Sequence, residues 1–231
     1  MIGPILLSIS WLLLRLEGRG LGALGIDRPR RRLAQLALGF VFLASVSAFQ
    51  QLGLSFTAKD PFVWNAALQP GALFGQVRFT LNSVLYEELV FRGYLLYQVV
   101  RFLGPTRAVL ADAVAFGVYH WFSYGVIGNP VVMTYVFLLT GAFGLMWARA
   151  FVATGSVAAP IGLHLGWNVV AYVVFSAGPL GPALLVPASG ADRLTITGWP
   201  SLALNVLLPV VATSIVLWHL RRASSDKPDG L

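Results

Sequence analysis

The sequence predicts an all-α protein, a polytopic transmembrane bundle of about seven helices (six to eight). Of the 231 residues, 57% are hydrophobic and 11% are charged, and the mean hydropathy is +0.76. A soluble domain carries about 25% charged residues, so this chain has too few to cover a water-facing surface. No polar stretch is long enough for a separate soluble domain. We therefore predict one transmembrane domain over residues 1–222 and a flexible polar tail over 223–231.

Seven apolar segments account for the predicted helices, and several reach the roughly 20 residues that cross a bilayer. The first begins at the N-terminus but is no typical signal peptide, because its charges follow the apolar run. The third exceeds the length of one span, which indicates tilt or an interfacial extension. The glycine- and proline-rich stretch 177–198 is predicted as an external loop with a re-entrant or lid-like element. The segments are 2–14, 33–52, 72–100, 108–127, 130–148, 157–176 and 199–219.

The distribution of Lys and Arg predicts the orientation in the membrane. Alternate loops and the C-terminal tail carry twelve of the sixteen basic residues, six of them within 15–32, whereas the opposite loops hold only Lys59 and Arg193. By the positive-inside rule, the arginine-rich loops and the C-terminus are cytoplasmic and the N-terminus lies outside. The Ala-, Leu-, Gly- and Arg-rich composition further indicates a bacterial plasma-membrane protein.

Charge and cysteine content exclude several classes of function. The net charge of +7 comes from short basic stretches beside the segments rather than from one basic face, so nucleic acid is not a predicted partner. The chain has no cysteine, which excludes disulfides, thiolate metal sites and cysteine nucleophiles. The bilayer and a membrane-associated substrate are the predicted partners. The oligomeric state is not predicted.

Ionisable residues inside the apolar segments are the strongest functional signal. Each costs about 2.5–3.5 kcal/mol on insertion scales, so it is a functional candidate by default. Counted from the basic residues at the cytoplasmic ends, at about 1.5 Å per residue, three segments place such groups at similar depth. Because these groups lie at similar depth in three segments, we predict that they form one buried site. Its members are Glu87 and Glu88 in the third segment, His120 in the fourth, and His164 with Asn168 in the sixth.

Helical spacing separates supporting residues from reacting ones. Glu88 and Arg92 are four residues apart, which predicts a structural ion pair. Glu87 is rotated about 100° from Glu88 and needs another partner. His164 and Asn168 project from one face.

Two chemistries could use this set of residues. A carboxylate beside a histidine can deprotonate water, while a second histidine and an amide can bind an oxyanion, and this combination suits amide hydrolysis. Alternatively, Glu87, His120 and His164 could ligate zinc with a fourth position open for water. Zinc is the one cofactor that this pattern of residues could bind, and the pattern does not require it. No H-E-x-x-H motif is present.

The three motifs together resemble the CPBP family of intramembrane proteases, which includes the CAAX prenyl endopeptidases and Abi-type, bacteriocin-processing relatives. The motifs are E-E-x-x-x-R from Glu87, F-x-x-x-H from Phe116 and H-x-x-x-N from His164, in that order. The resemblance covers about residues 72–176, the predicted catalytic core. It implies endopeptidase activity, by either a glutamate or a metalloprotease mechanism.

The resemblance also implies residue roles. Glu87 would activate water with the help of His120, and His164 and Asn168 would stabilise the oxyanion. Glu88 and Arg92 would form the structural pair of the first motif. Each matching position carries the expected residue.

Other residues are assigned structural roles. Asp112 shares a helix face with His120 but lies nearer the cytoplasm, which indicates interfacial solvation or an arginine partner. Trp147 and Trp199 are assigned to the interfacial aromatic belts. Gly162 and Gly166 form a G-x-x-x-G that lets another helix approach closely.

The predicted function is therefore an intramembrane endopeptidase that cleaves a membrane-associated protein or peptide. A non-proteolytic immunity or scaffolding protein of the same fold is the first alternative. A metal-ion or proton transporter is the second, and it would spread polar residues along a path through the membrane.

Overall fold

The computed structural model describes residues 2–225, which fold into helices joined mostly by short loops. One 3₁₀ turn, Leu21–Leu24, follows the first helix, and two π-helical stretches, Val169–Val174 and Ala203–Leu207, continue α7 and α8. The last helix reaches Ser225, so the start of the predicted tail is helical and residues 226–231 lie outside the described part. The helices are α1 (Ile2–Leu16), α2 (Pro29–Ala58), α3 (Pro70–Phe91), α4 (Tyr94–Leu103), α5 (Pro105–Ser123), α6 (Pro130–Thr154), α7 (Ala158–Asn168), α8 (Gly198–Leu202) and α9 (Leu208–Ser225).

The helical class is confirmed, with one small sheet that the sequence did not predict. Strands β1 (Phe62–Trp64) and β2 (Leu185–Pro187) pair antiparallel, with Val63 opposite Val186. Strands of three residues are too short to show an alternating pattern, and their partners lie more than a hundred residues apart. The segment 177–198 thus supplies a strand that ties it to the loop after α2.

The seven-span count is not confirmed. Within the described residues, three helical stretches are long and apolar enough to cross a membrane: Leu21–Ala58, Pro130–Thr154 and Gly198–Arg222. Ile2–Leu16 and Ala158–Val174 are apolar but shorter. The α3 and α5 helices contain charged residues, including Glu87 and Glu88 of the predicted site and Asp112, and these lower the hydropathy of both helices.

The predicted third segment, 72–100, is two helices rather than one. The α3 helix ends at Phe91 and α4 begins at Tyr94, with Arg92 and Gly93 at the corner. A Cβ on Gly93 would lie 2.1 Å from the carbonyl oxygen of Leu89, so the corner requires glycine. This break explains why the predicted third segment is longer than one membrane span. It also directs the side chain of Arg92 into the bundle, where the residue is fully buried.

The α7 helix lies in the core and packs most extensively against α2. Cβ atoms on Gly162 and Gly166 would lie 2.1 and 2.2 Å from the carbonyl oxygens of Leu36 and Phe40. The close approach predicted from the G-x-x-x-G pattern is therefore present, and it involves α2. This contact fixes the helix that carries His164 and Asn168.

Candidate active site

A cavity of about 400 Å³ lies between α3, α5, α6 and α7. The cavity wall is largely aromatic and aliphatic, with contributions from Phe79, Leu139 and Trp167. All four residues predicted to be catalytic line it: Glu87, His120, His164 and Asn168. The structure thus brings polar side chains from α3, α5 and α7 together in one cavity.

Glu87 lies between the two histidines. Its Oε2 atom is 4.0 Å from Nε2 of His120 and 3.9 Å from Nε2 of His164. Its Oε1 atom accepts a hydrogen bond of 3.4 Å from the Ser83 hydroxyl, one turn earlier on α3. Separations near 4 Å are too long for direct hydrogen bonds, but one water molecule can bridge them. The carboxylate is therefore placed to hold water between the imidazoles.

The orientation of His120 follows from its own helix. Its Nδ1 atom lies 2.8 Å from the carbonyl oxygen of Phe116. A carbonyl oxygen only accepts hydrogen bonds, so Nδ1 carries the proton and donates it. In the neutral ring, Nε2 is then an acceptor facing Glu87. The F-x-x-x-H motif thereby fixes the tautomer as well as the position.

His164 is held by two groups outside its own helix. Its Nδ1 atom lies 2.8 Å from Oε1 of Glu88. The Trp147 ring stacks on the imidazole with centroids 3.9 Å apart and an interplanar angle of 16°. Both contacts direct Nε2 of His164 towards Glu87 and the cavity.

The assignment of Trp147 to an interfacial belt is wrong. Its side chain is 3% exposed and packs in the core against His164 and Phe116. A tryptophan near the basic end of an apolar segment is typical of an interfacial aromatic belt. Composition and position in the sequence therefore did not predict that Trp147 stacks on His164. Trp199, the other predicted belt residue, is 80% exposed.

The predicted pair of Glu88 and Arg92 is part of a larger buried network. Nη1 of Arg92 lies 3.5 Å from Oε1 of Glu88, while Nη2 lies 2.9 Å from Oδ2 of Asp112. The guanidinium also stacks over the Phe116 ring, 4.2 Å from its centroid. Because Glu88 makes its shorter contact with His164, it connects the arginine to the site as well as neutralising its charge.

Asp112 does have the arginine partner that the sequence indicated, and the alternative of interfacial solvation is wrong. The residue is 8% exposed and pairs with Arg92 inside the bundle. The sequence feature that could have indicated this burial is the position of Asp112 two helical turns before His120, on the same face of α5. The partner could not be read from the sequence because the turn of the chain after Phe91 brings Arg92 to it.

Asn168 is the last residue of α7 before the chain becomes π-helical at Val169. Its side chain is buried and lines the cavity, four residues after His164. Across residues 2–225, nothing hydrogen-bonds to its amide group. A π-helical stretch is rare and is often found at functional sites. The amide is free to donate to a group in the cavity.

Zinc ligands lie about 2.0–2.2 Å from the ion and need converging donor atoms. In the described part of the chain, no group of three or more His, Asp or Glu side chains is placed to hold a metal ion. The set predicted as a possible zinc site, Glu87, His120 and His164, is thus not arranged as a metal site in this structure.

These features define a class: an integral, largely helical membrane protein with a buried Glu–His–His–Asn site. Residues 69–170, a little under half of the chain, match a family model described as type II CAAX prenyl endopeptidase, Rce1-like. The match includes all three motifs, so this part of the chain is similar to the CPBP/CAAX protease family. Searches of curated proteins and of solved structures found no match.

Proposed function

We propose that this protein is an intramembrane endopeptidase that hydrolyses a peptide bond of a membrane-associated protein or peptide. The observation that carries the proposal is the position of Glu87, whose Oε2 faces Nε2 of both histidines in the cavity. The similarity of residues 69–170 to a protease family supports the reaction class. The apolar cavity wall suits a hydrophobic segment of a substrate.

In the proposed reaction, a water molecule donates one hydrogen bond to Glu87 and another to Nε2 of His120. Its oxygen attacks the scissile carbonyl carbon while Glu87 takes its proton as general base. The C–N bond of the tetrahedral intermediate then breaks, and Glu87 returns the proton to the leaving nitrogen. Atoms and protons balance, and Glu87 ends as it began.

The oxyanion of the intermediate is assigned to His164 and Asn168. The free amide N–H of Asn168 donates one hydrogen bond to it. His164 donates another from Nε2, which carries a proton when the ring is doubly protonated or when the Glu88 carboxyl group donates to Nδ1. The Glu88 contact and the Trp147 stack hold the imidazole for this role.

We also propose that the basic loops face the cytoplasm, with the N-terminus outside. The break in the predicted third segment is compatible with loops that alternate between the two sides of the membrane. α4 follows α3 as a short helix on the basic side, where Arg101 pairs with Glu17 after α1 at 2.8 Å.

Replacing Glu87 with Gln removes the proton acceptor but keeps the size of the side chain. We expect a loss of cleavage of about 10²–10⁴-fold, the usual contribution of a general base. The measurement is cleavage of a hydrophobic peptide library by the purified protein in liposomes, read by mass spectrometry.

Glu17→Gln is the matched control, because it removes a carboxylate that lies far from the site in sequence and pairs with Arg101. The control should cleave like the wild type. If Glu87→Gln cleaves at the wild-type rate while expressed normally in the membrane, proteolysis at this site is ruled out. The immunity or scaffolding alternative would then take its place.

A further inference from the structure

Two buried polar side chains on α3, outside the site described above, have groups without partners. Gln76 is 5% exposed and Thr80 is 1% exposed. Gln76 donates from Nε2 to the carbonyl oxygen of Pro182 at 2.7 Å, which fixes its amide group. Its Oε1 atom and the Thr80 hydroxyl have no hydrogen-bond partner among residues 2–225. Such groups are normally satisfied by protein or by bound water.

A small cavity of about 10 Å³ lies beside these two groups. This volume is close to the smallest that holds one water molecule. Its wall includes Gln76 and Thr80 on one side and Gly178 to Leu180 of the loop after α7 on the other. Because Leu180 is half exposed, the cavity lies one side chain away from the outer surface.

The same face of α3 leads from this cavity to the site. Residues 76, 80, 83 and 87 follow one another at intervals of three or four, so their side chains form one line along the helix. Ser83 lies between Thr80 and Glu87, and its hydroxyl donates to Glu87 at 3.4 Å. Phe79, Tyr172 and Pro179 line both cavities and so form the partition between them.

We propose that Gln76 and Thr80 bind a water molecule that replenishes the hydrolytic water at Glu87 by way of Ser83. The evidence for the water-binding site is the two unpartnered polar groups and the small cavity beside them. The role of this water in hydrolysis rests on the proposed function. The large cavity cannot easily supply water during a reaction, since a substrate segment would fill it. A second polar route along α3 delivers water to Glu87 from behind the substrate.

The binding site is tested without any enzyme assay by placing a thiol at Thr80. The chain has no cysteine, so Thr80→Cys and Val84→Cys each carry a single reporter. Val84 is 0% exposed and lies one turn deeper in the apolar core, which makes it a control matched in burial. The protein in liposomes is transferred into D₂O, and loss of the S–H infrared band is followed.

We expect the thiol at position 80 to exchange at once and the thiol at position 84 to exchange only as the structure opens. Equal, slow exchange at both positions would overturn the water site. This result does not depend on whether the protein is a protease.

The purpose of the water is tested by the rate of cleavage. Thr80→Val keeps the shape and removes the hydroxyl, so kcat should fall roughly fivefold, as for one lost hydrogen bond, with KM unchanged. Thr80→Ser keeps the hydroxyl and should restore kcat. If the wild type cleaves and Thr80→Val is equally fast, the water serves the fold and not the reaction. If the wild type does not cleave, the proposed function fails and the exchange experiment alone decides the water site.

Discussion

At the residue scale, the two histidines are oriented by different kinds of partner. His120 uses a backbone carbonyl of its own helix, so its orientation follows from local sequence. His164 uses Glu88 from α3 and Trp147 from α6, so its orientation depends on the packing of three helices. Substitutions around His164 should therefore affect reactivity from a distance.

Glu88→Gln tests this dependence. It removes the carboxylate from both His164 and Arg92, so cleavage should fall on the order of 100-fold through misplacement of the imidazole. Unfolding free energy should fall by up to about 3 kcal/mol, because Asp112 still neutralises the arginine. Thermal unfolding in detergent and a cleavage assay measure the two effects separately.

Asp112→Asn is the matched comparison, because it removes the other partner of Arg92 without a contact to His164. It should destabilise the protein by a similar amount while losing much less activity. If both variants lost activity in proportion to their stability, Glu88 would have no positioning role beyond holding the fold together.

The sequence predicted the members of the site better than their partners. Glu87, His120, His164 and Asn168 could be found because polar groups inside apolar segments are conspicuous and their depth can be counted from the basic ends. The contacts of Glu88 with His164 and of Arg92 with Asp112 could not be found, because they depend on the corner at Gly93 and on how α3, α5 and α7 meet. Trp147 gave no signal, since an aromatic residue in an apolar helix fits many environments.

At the element scale, α7 is the helix whose position matters most for the site. It has α2 on one side, against Gly162 and Gly166, and faces the cavity with His164 and Asn168. The GxxxG pattern and the helix were predictable from spacing. The identity of α2 as the partner was not, because the spacing of small residues on one helix does not specify which neighbour approaches.

Gly166→Ala tests the closeness of this contact. The added Cβ would lie 2.2 Å from the carbonyl oxygen of Phe40, so α2 and α7 must separate, at about 1–3 kcal/mol of stability. Gly75→Ala on α3 is the control, because no atom lies within 4 Å of its added Cβ. The control should be neutral or slightly stabilising. Equal unfolding temperatures for Gly166→Ala and the wild type would contradict the close packing.

At the scale of the whole molecule, basic charge and helix connectivity should set one orientation in the membrane. Lys59 is exposed in the loop between α2 and β1, while Arg30 is exposed at the start of α2. The two residues thus lie at opposite ends of one long apolar helix. Their accessibility reports which end faces outward.

Single cysteines at these positions test the orientation, because the natural chain has none to interfere. In intact cells, a membrane-impermeant maleimide should label Lys59→Cys and leave Arg30→Cys unlabelled until the membrane is permeabilised. The cysteine-free wild type controls for background. The reverse pattern of labelling would place the basic loops outside.

We propose that Glu87 activates the hydrolytic water without a metal, and cleavage in H₂¹⁸O combined with metal analysis tests this proposal most directly. The purified wild type should place one ¹⁸O atom in each new carboxyl group, hold no stoichiometric metal, and keep its rate in the presence of a chelator. Glu87→Gln should form no labelled product. Stoichiometric zinc that is lost together with activity on chelation would contradict the glutamate mechanism.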